Sequence, residues 1–191
     1  MDPQKNLVGL LRAAYSGELA AALAYRGHAR ALADVGERER VRQIERDEWQ
    51  HRSVVGGMLK ELGEAPGRGR EWRARVLGKG FGALCRLVGW FLPMYVAGLL
   101  EGRNVREYEG AAGLAEGAGR HAWVGPLRVL ARVESDHEAF FRGRVRSHRW
   151  TRSLPPYRSR LRRASETAET PPCPAGAQSR PTAKRQAQDR P

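Results

Sequence analysis

Four glutamates, Glu18, Glu48, Glu101 and Glu134, each sit on an apolar stripe that repeats with helical period, one glutamate to a stripe. This feature constrains the fold more than any other. A lone Glu on such a stripe is ordinarily a helix-end residue whose carboxylate reaches water. Four near mid-stripe need a shared neutralising partner, because a buried, unpaired carboxylate costs far more than a domain can absorb.

The stripes themselves predict an all-α chain. From Lys5 to Ala33, Leu7, Leu11, Ala14, Glu18, Ala22 and Tyr25 recur at three- and four-residue steps, with Gly36 as the stop. A second helix runs from Glu37 through Val41, Ile44, Glu48, His51, Val55, Met58 and Leu62 and ends at Gly63, with Pro66 beyond. A Gly-rich connection of about two dozen residues follows, with a short amphipathic segment from Trp72 to Leu84; that length suits a crossover along a bundle. The third stripe starts at Pro93, carries Ala97, Glu101, Val105, Tyr108 and Ala112, and is expected to end among glycines 113, 117 and 119. The fourth starts near Pro126 with Leu127, Leu130, Glu134, His137, Phe141 and Val145. No stretch alternates as a strand does.

Residue height brings the acids together. Glu18 and Glu48 lie near mid-helix, and Glu101 and Glu134 each fall eight residues after a helix-starting proline. The second and fourth helices add Glu48-x-x-His51 and Glu134-x-x-His137, and an i, i+3 pair projects from one face. A Glu from each of two helices plus Glu-x-x-His from each of two others is the ligand set of ferritin-like di-iron and di-manganese carboxylate proteins. The expected fold is therefore a ferritin-like four-helix bundle with a long crossover between helices two and three. Its expected metal ligands are Glu18, Glu48, His51, Glu101, Glu134 and His137. Bridging carboxylates hold two hard ions close together while neutral imidazoles leave open positions for dioxygen; iron is expected, and such a site accepts manganese too.

The other polar residues carry weaker signals. Tyr25 and Tyr108 lie seven residues beyond Glu18 and Glu101 on the same stripes, where each reads equally as a core aromatic or as a hydrogen-bond partner of the site. Asp47 and Asp136 neighbour ligand positions, and one is a candidate to orient a ligand histidine. His28, His121 and His148 lack partners at ligand spacing and read as surface residues.

Composition bounds the rest. Residues 1–150 form one expected domain, and residues 151–191, with seven of the eleven prolines, read as a disordered basic tail. That tail has nine Arg or Lys against three acids, so it holds +6 of the formal +13 and the expected domain keeps +7. A basic balance suits nucleic acid, anionic lipid or acidic partners, but no helix-turn-helix or RNP-type motif accompanies it, so no specific nucleic acid is expected. Cys85 and Cys173 offer neither a disulfide framework nor a metal knuckle, and the N-terminus has no basic segment leading into an apolar one, so a reducing cytoplasm is expected. The longest uncharged run, Leu87 to Leu100, would reach only about 21 Å as a helix, short of the roughly 30 Å hydrocarbon core.

With these residues in view, the chain resembles the demethoxyubiquinone hydroxylase family over roughly residues 10 to 145. Ser16-Gly17-Glu18 followed by Leu23, Tyr25 and Gly27 is similar to that family's Ala-Gly-Glu motif and its downstream Ile-Tyr-x-Gly-Gln. Glu48-x-x-His51, Met94 seven residues before Glu101, Tyr108 seven after it, and Glu134-x-x-His137 continue the likeness. The family's Asp-His before Gly-Glu reads Ala14-Tyr15 here, its Gln reads His28, and its His before the helix-three Tyr reads Glu107. The resemblance implies a di-iron, dioxygen-dependent monooxygenase that hydroxylates a quinone-type apolar ring, with NADH as an electron source. It also implies a peripheral position on the inner face of the cell membrane, reached through the apolar crossover and the start of helix three. Competing expectations are a di-iron hydroxylase of another substrate, tRNA included, and a rubrerythrin-like protein handling iron or peroxide, against which the missing CxxC pairs count. Self-association as a homo-oligomer is compatible with all of these.

Overall fold

The computed structural model describes residues 2–146 and 148–152, which belong to one unit. All but the first two residues of the expected tail lie outside them. Among the described residues the chain is all-helical: α1 Pro3–Ala31, α2 Val35–Glu61, α3 Arg68–Val88, α4 Phe91–Gly117 and α5 His121–Val145, then a 3-10 turn at Arg149–Arg152.

The helix ends follow local chemistry. Asp2 caps α1 by accepting from the Gln4 N–H at 3.0 Å, with Pro3 at the first helical position, and Asp34 caps α2 by accepting from the Glu37 N–H at 2.7 Å. Glycines 63, 89 and 119 follow α2, α3 and α4 at φ near +70°, where a side chain would strain the backbone.

Three sequence expectations shift. The crossover is a fifth full helix, α3, twenty-one residues long rather than a short amphipathic segment. It lies so close to α1 that a Cβ on Gly27 would come within 2.4 Å of the Gly82 Cα, and one on Gly78 within 2.5 Å of the Ala20 carbonyl oxygen. Helix α4 begins at Phe91, two residues before Pro93, and ends at Gly117, one of the glycines expected to stop it. Helix α5 begins at His121, five residues before Pro126. A proline near a helix start removes only one backbone bond, and Trp123, buried and donating its indole N–H to Glu61 at 3.1 Å, holds the extra turn.

Two apolar clusters divide the core. One gathers Leu7, Leu11, Val55, Met58, Leu59, Tyr108, Ala112, Trp123 and Leu127; the other gathers Tyr25, Ala29, Val41, Ile44, Phe91, Met94, Phe141 and Val145. Along α1 and α5 the chain passes from the first cluster to the second, and along α2 and α4 from the second to the first. Helices α1 and α2 are thus antiparallel, as are α4 and α5, while α2 and α4 run the same way and need α3 to return the chain. On each of these four helices the ligand-type residues fall between the two clusters.

Among the described residues, α1 alone is long and apolar enough to cross a membrane, with a mean hydropathy of 1.3 over its best window. Here it packs on α2, α3 and α4 and buries Leu7, Leu11, Ala22 and Glu18 among them.

Candidate metal centre

The layer between the clusters contains Glu18, Glu48, His51, Glu101, Glu134 and His137, all buried, with Glu48, Glu101, Glu134 and His137 at 0% exposure. Their ligand-type atoms form two overlapping groups: Glu18, Glu48, His51 and Glu134, and Glu48, Glu101, Glu134 and His137. Within each group one atom per residue lies within 4.8 Å of the others. Glu48 and Glu134 belong to both. Six residues predicted from spacing are brought together as one cluster with two halves and two shared carboxylates.

The imidazoles face inward through Nδ1. That of His51 lies 2.9 Å from Glu134, 3.9 Å from Glu18 and 4.0 Å from Glu48, and that of His137 lies 3.4 Å from Glu48 and 3.7 Å from Glu134. The rings stack with centroids 6.0 Å apart. Behind His137, Nε2 meets Asp47 Oδ2 at 3.1 Å, and Asp47 accepts from Gln43 at 2.9 Å. Of the two acids singled out beside the ligands, Asp47 therefore backs a histidine, whereas Asp136 is exposed.

Both tyrosines are partners of the cluster, in a crossed arrangement. Tyr25 of α1 donates to Glu101 of α4, and Tyr108 of α4 donates to Glu18 of α1. Asn104 Nδ2 also donates to Glu101, at 3.2 Å. Sequence reasoning missed Asn104, although its i+3 spacing from Glu101 places it on the same face. It also missed the knot beside the site, in which Ser16 donates to Glu71 at 2.9 Å and Arg52 donates to Glu71 at 2.5 Å and to the Tyr15 carbonyl. Glu71 lies on the stripe that α3 buries, with Ala74, Gly78, Gly82 and Cys85, but a face made of small residues carries little apolar signal to mark it.

His28, expected at the surface, is buried instead, beside Ala29 near the end of α1. Burial pulls its imidazole down to about 4, so it is neutral. His148 is half-buried, its ring 4.1 Å from that of Phe91, and His121 is exposed as expected.

The electrostatics of the cluster ask for cations. Burial, followed by repulsion from neighbouring carboxylates, pushes Glu48 and Glu101 well above the ordinary range, and burial raises Glu18. Burial pushes Glu134 the same way, but its contacts with Glu101, His137 and His51 outweigh that and hold it low. Burial and Glu101 raise Tyr25, and burial and Glu18 raise Tyr108, so both keep the proton they donate. Glu18 Oε2, both oxygens of Glu48, Glu134 Oε2 and His137 Nδ1 are buried with no hydrogen-bond partner. Buried polar atoms are very rarely left so. Four carboxylates and two neutral imidazoles would balance the charge of two divalent ions, and the orphaned atoms are those that ligation would satisfy.

No family model, no curated protein and no solved structure matches this chain.

Proposed function

We propose that this chain is a ferritin-like di-iron monooxygenase that hydroxylates a quinone-type apolar ring, with α1, α2, α4 and α5 as the bundle and α3 as its crossover. The observation that carries the reading is the pair of overlapping three-carboxylate, one-histidine groups sharing Glu48 and Glu134. The opposed passage of the helices between the two apolar clusters fits the same bundle. Two iron ions in such a site supply the capacity to activate dioxygen and insert one of its atoms into an apolar ring, given electrons from a reductant such as NADH.

The chain's own residues then have distinct tasks. Glu48 and Glu134, common to both groups, would be shared by the two ions, Glu18 and Glu101 would each serve one half, and His51 and His137 would offer the nitrogen donors. Tyr108 and Tyr25 fix the rotamers of Glu18 and Glu101 through their hydroxyls. The apolar clusters on either side flank the buried layer and would limit the access of bulk water to chemistry carried out there.

The substrate class rests on the sequence resemblance and on the surface of α3. Trp72, Leu77 and Leu87 of α3 are exposed by 64%, 64% and 84%, and Trp90 and Leu92 extend this strip into α4. Arg73, Arg75, Lys79 and Arg86 are exposed on the same helix, an arrangement suited to lying on anionic headgroups. Behind the strip an apolar cleft lined by Phe81, Cys85, Val88, Pro93 and Val96 separates α3 from α4. A membrane-dissolved quinone would be met at this face, with the protein peripheral to the inner side of the cell membrane.

Protein made in iron-rich medium should carry about two metal ions per chain, and Glu48→Ala or His137→Ala should remove most of them. For the substrate, expression in a host lacking its own demethoxyubiquinone hydroxylase should restore ubiquinone. Continued accumulation of the unhydroxylated precursor by a metal-loaded protein would overturn the quinone assignment while leaving the metal centre standing.

A further inference from the structure

The two halves of the cluster share two carboxylates, but their surroundings differ. In the half made by Glu48, Glu101, Glu134 and His137, each residue contributed to that half alone is held from behind. His137 Nε2 faces the Asp47 carboxylate at 3.1 Å, and Asp47 is itself fixed by Gln43 at 2.9 Å. Glu101 is held at one oxygen by Tyr25 and at the other by Asn104. The inward atom of His137, Nδ1, is buried and has no hydrogen-bond partner, so nothing must be displaced before it binds.

The half made by Glu18, Glu48, His51 and Glu134 is supported less. Glu18 is held at one oxygen by Tyr108, and its other oxygen is unpartnered. His51 Nδ1 is already engaged with Glu134 at 2.9 Å, a contact that must break for that nitrogen to ligate. Among the described residues no carboxylate stands behind His51 Nε2 as Asp47 stands behind that of His137.

We infer that the two halves load in order: the Glu101–His137 half takes the first ion and holds it tightly, and the Glu18–His51 half takes the second more weakly, with Asp47 as the positioning residue that sets the difference. The inference rests on the two-metal reading above. Its physical basis is preorganisation plus charge. A ligand already in its binding rotamer loses less entropy on ligation, and a carboxylate behind an imidazole fixes the tautomer and makes the facing nitrogen a better donor. Removing such an outer partner typically lowers metal affinity by about 10- to 100-fold, so the first ion should bind at least about tenfold tighter than the second. The second ion also meets shared carboxylates already partly neutralised by the first, which widens the gap.

The test is a titration of metal-free full-length protein with Mn²⁺ alone, followed by calorimetry and by electron paramagnetic resonance. The wild type should bind in two separable steps. Up to one equivalent, the hyperfine-split signal of an isolated Mn²⁺ should grow; beyond that it should broaden and shrink as a neighbouring ion couples to it. Asp47→Asn keeps the side-chain shape and removes the charge. It should weaken the first step about 10- to 100-fold, so that the steps merge, while its far-ultraviolet circular dichroism matches the wild type. Glu18→Gln should keep the tight step and its isolated-ion signal and lose the second step; Glu101→Gln should lose the tight step. Two ions entering with a single affinity in the wild type, or a tight step lost in Glu18→Gln and kept in Glu101→Gln, would overturn the order. An Asp47→Asn variant with an unchanged first step would overturn the role of Asp47. A wild type that binds no Mn²⁺ or Fe²⁺ would instead overturn the two-metal reading itself.

Discussion

Glu48→Gln should stabilise the metal-free protein and abolish its stabilisation by metal. Both oxygens of Glu48 are buried and unpartnered, and ligand atoms of the neighbouring carboxylates lie within 4.8 Å. At that separation two carboxylates repel by about 3–4 kcal/mol at an effective dielectric constant of roughly 20. Glu48 therefore tends to take a proton in the metal-free state, in line with its raised pKa. Holding a proton at pH 7 on a carboxyl whose ordinary value is 4.5 costs at most about 3 kcal/mol. Gln has the shape of the protonated acid without that cost, so the metal-free variant should melt a few degrees above the wild type, and at most about 10 °C above it. Metal reverses the ranking. Two ions at about 100 times their dissociation constants stabilise the wild type by about 5 kcal/mol, which is roughly 10–20 °C for a domain of this size. Glu48 belongs to both groups, so the variant should show almost none of this shift. Thermal unfolding followed by circular dichroism, with and without Mn²⁺ or Fe²⁺ under anaerobic conditions, reads both effects. A metal-free Glu48→Gln protein that melts well below the wild type, or one that keeps the full metal shift, would refute the reasoning and make Glu48 a structural residue.

Other positions give separate expectations. His28 titrates near 4 in the folded chain against 6.5 as the ordinary value, so the unfolded chain binds the extra proton and stability falls as pH drops from about 6.5 towards 4. The full loss approaches about 3 kcal/mol, and denaturant melts of His28→Gln across that range should lack this part of the acid sensitivity; a variant with an unchanged pH profile would contradict it. Arg52→Ala leaves Glu71, about 8% exposed, without its guanidinium partner, and should cost about 2–4 kcal/mol by chemical denaturation, with Arg52→Ala/Glu71→Gln recovering part of it. Gly27→Ala drives a Cβ into the Gly82 backbone; it should cost at least about 1–3 kcal/mol and loosen α3 in hydrogen exchange, whereas Gly80→Ala on the open face of α3 should not.

How much was legible in the sequence follows from what periodicity encodes. Helical repeats reveal which residues share a face, so the six ligand-type residues and their depth could be read from Leu7 to Val145 without coordinates. Ends were less legible. Pro126 looked like a start because proline is common there, but the burial of Trp123 outweighed a single lost hydrogen bond and moved the start to His121. Pro93 likewise looked like a start, but α4 begins two residues earlier at Phe91, whose ring is buried in the core.

The sequence by itself determined that the chain is helical, where its apolar faces run, and that four acids and two histidines share those faces, because each of these is a property of spacing within one helix. Only the tertiary structure decided which helix supplies a partner to which. Tyr25 reaching Glu101, Tyr108 reaching Glu18, Asp47 backing His137 and Arg52 closing on Glu71 are all contacts between helices. Their geometry depends on crossing distance and relative height, which no local pattern records. For the same reason, the six ligand-type residues were foreseeable as a set, while the unequal support of its two halves became visible only when the helices were packed.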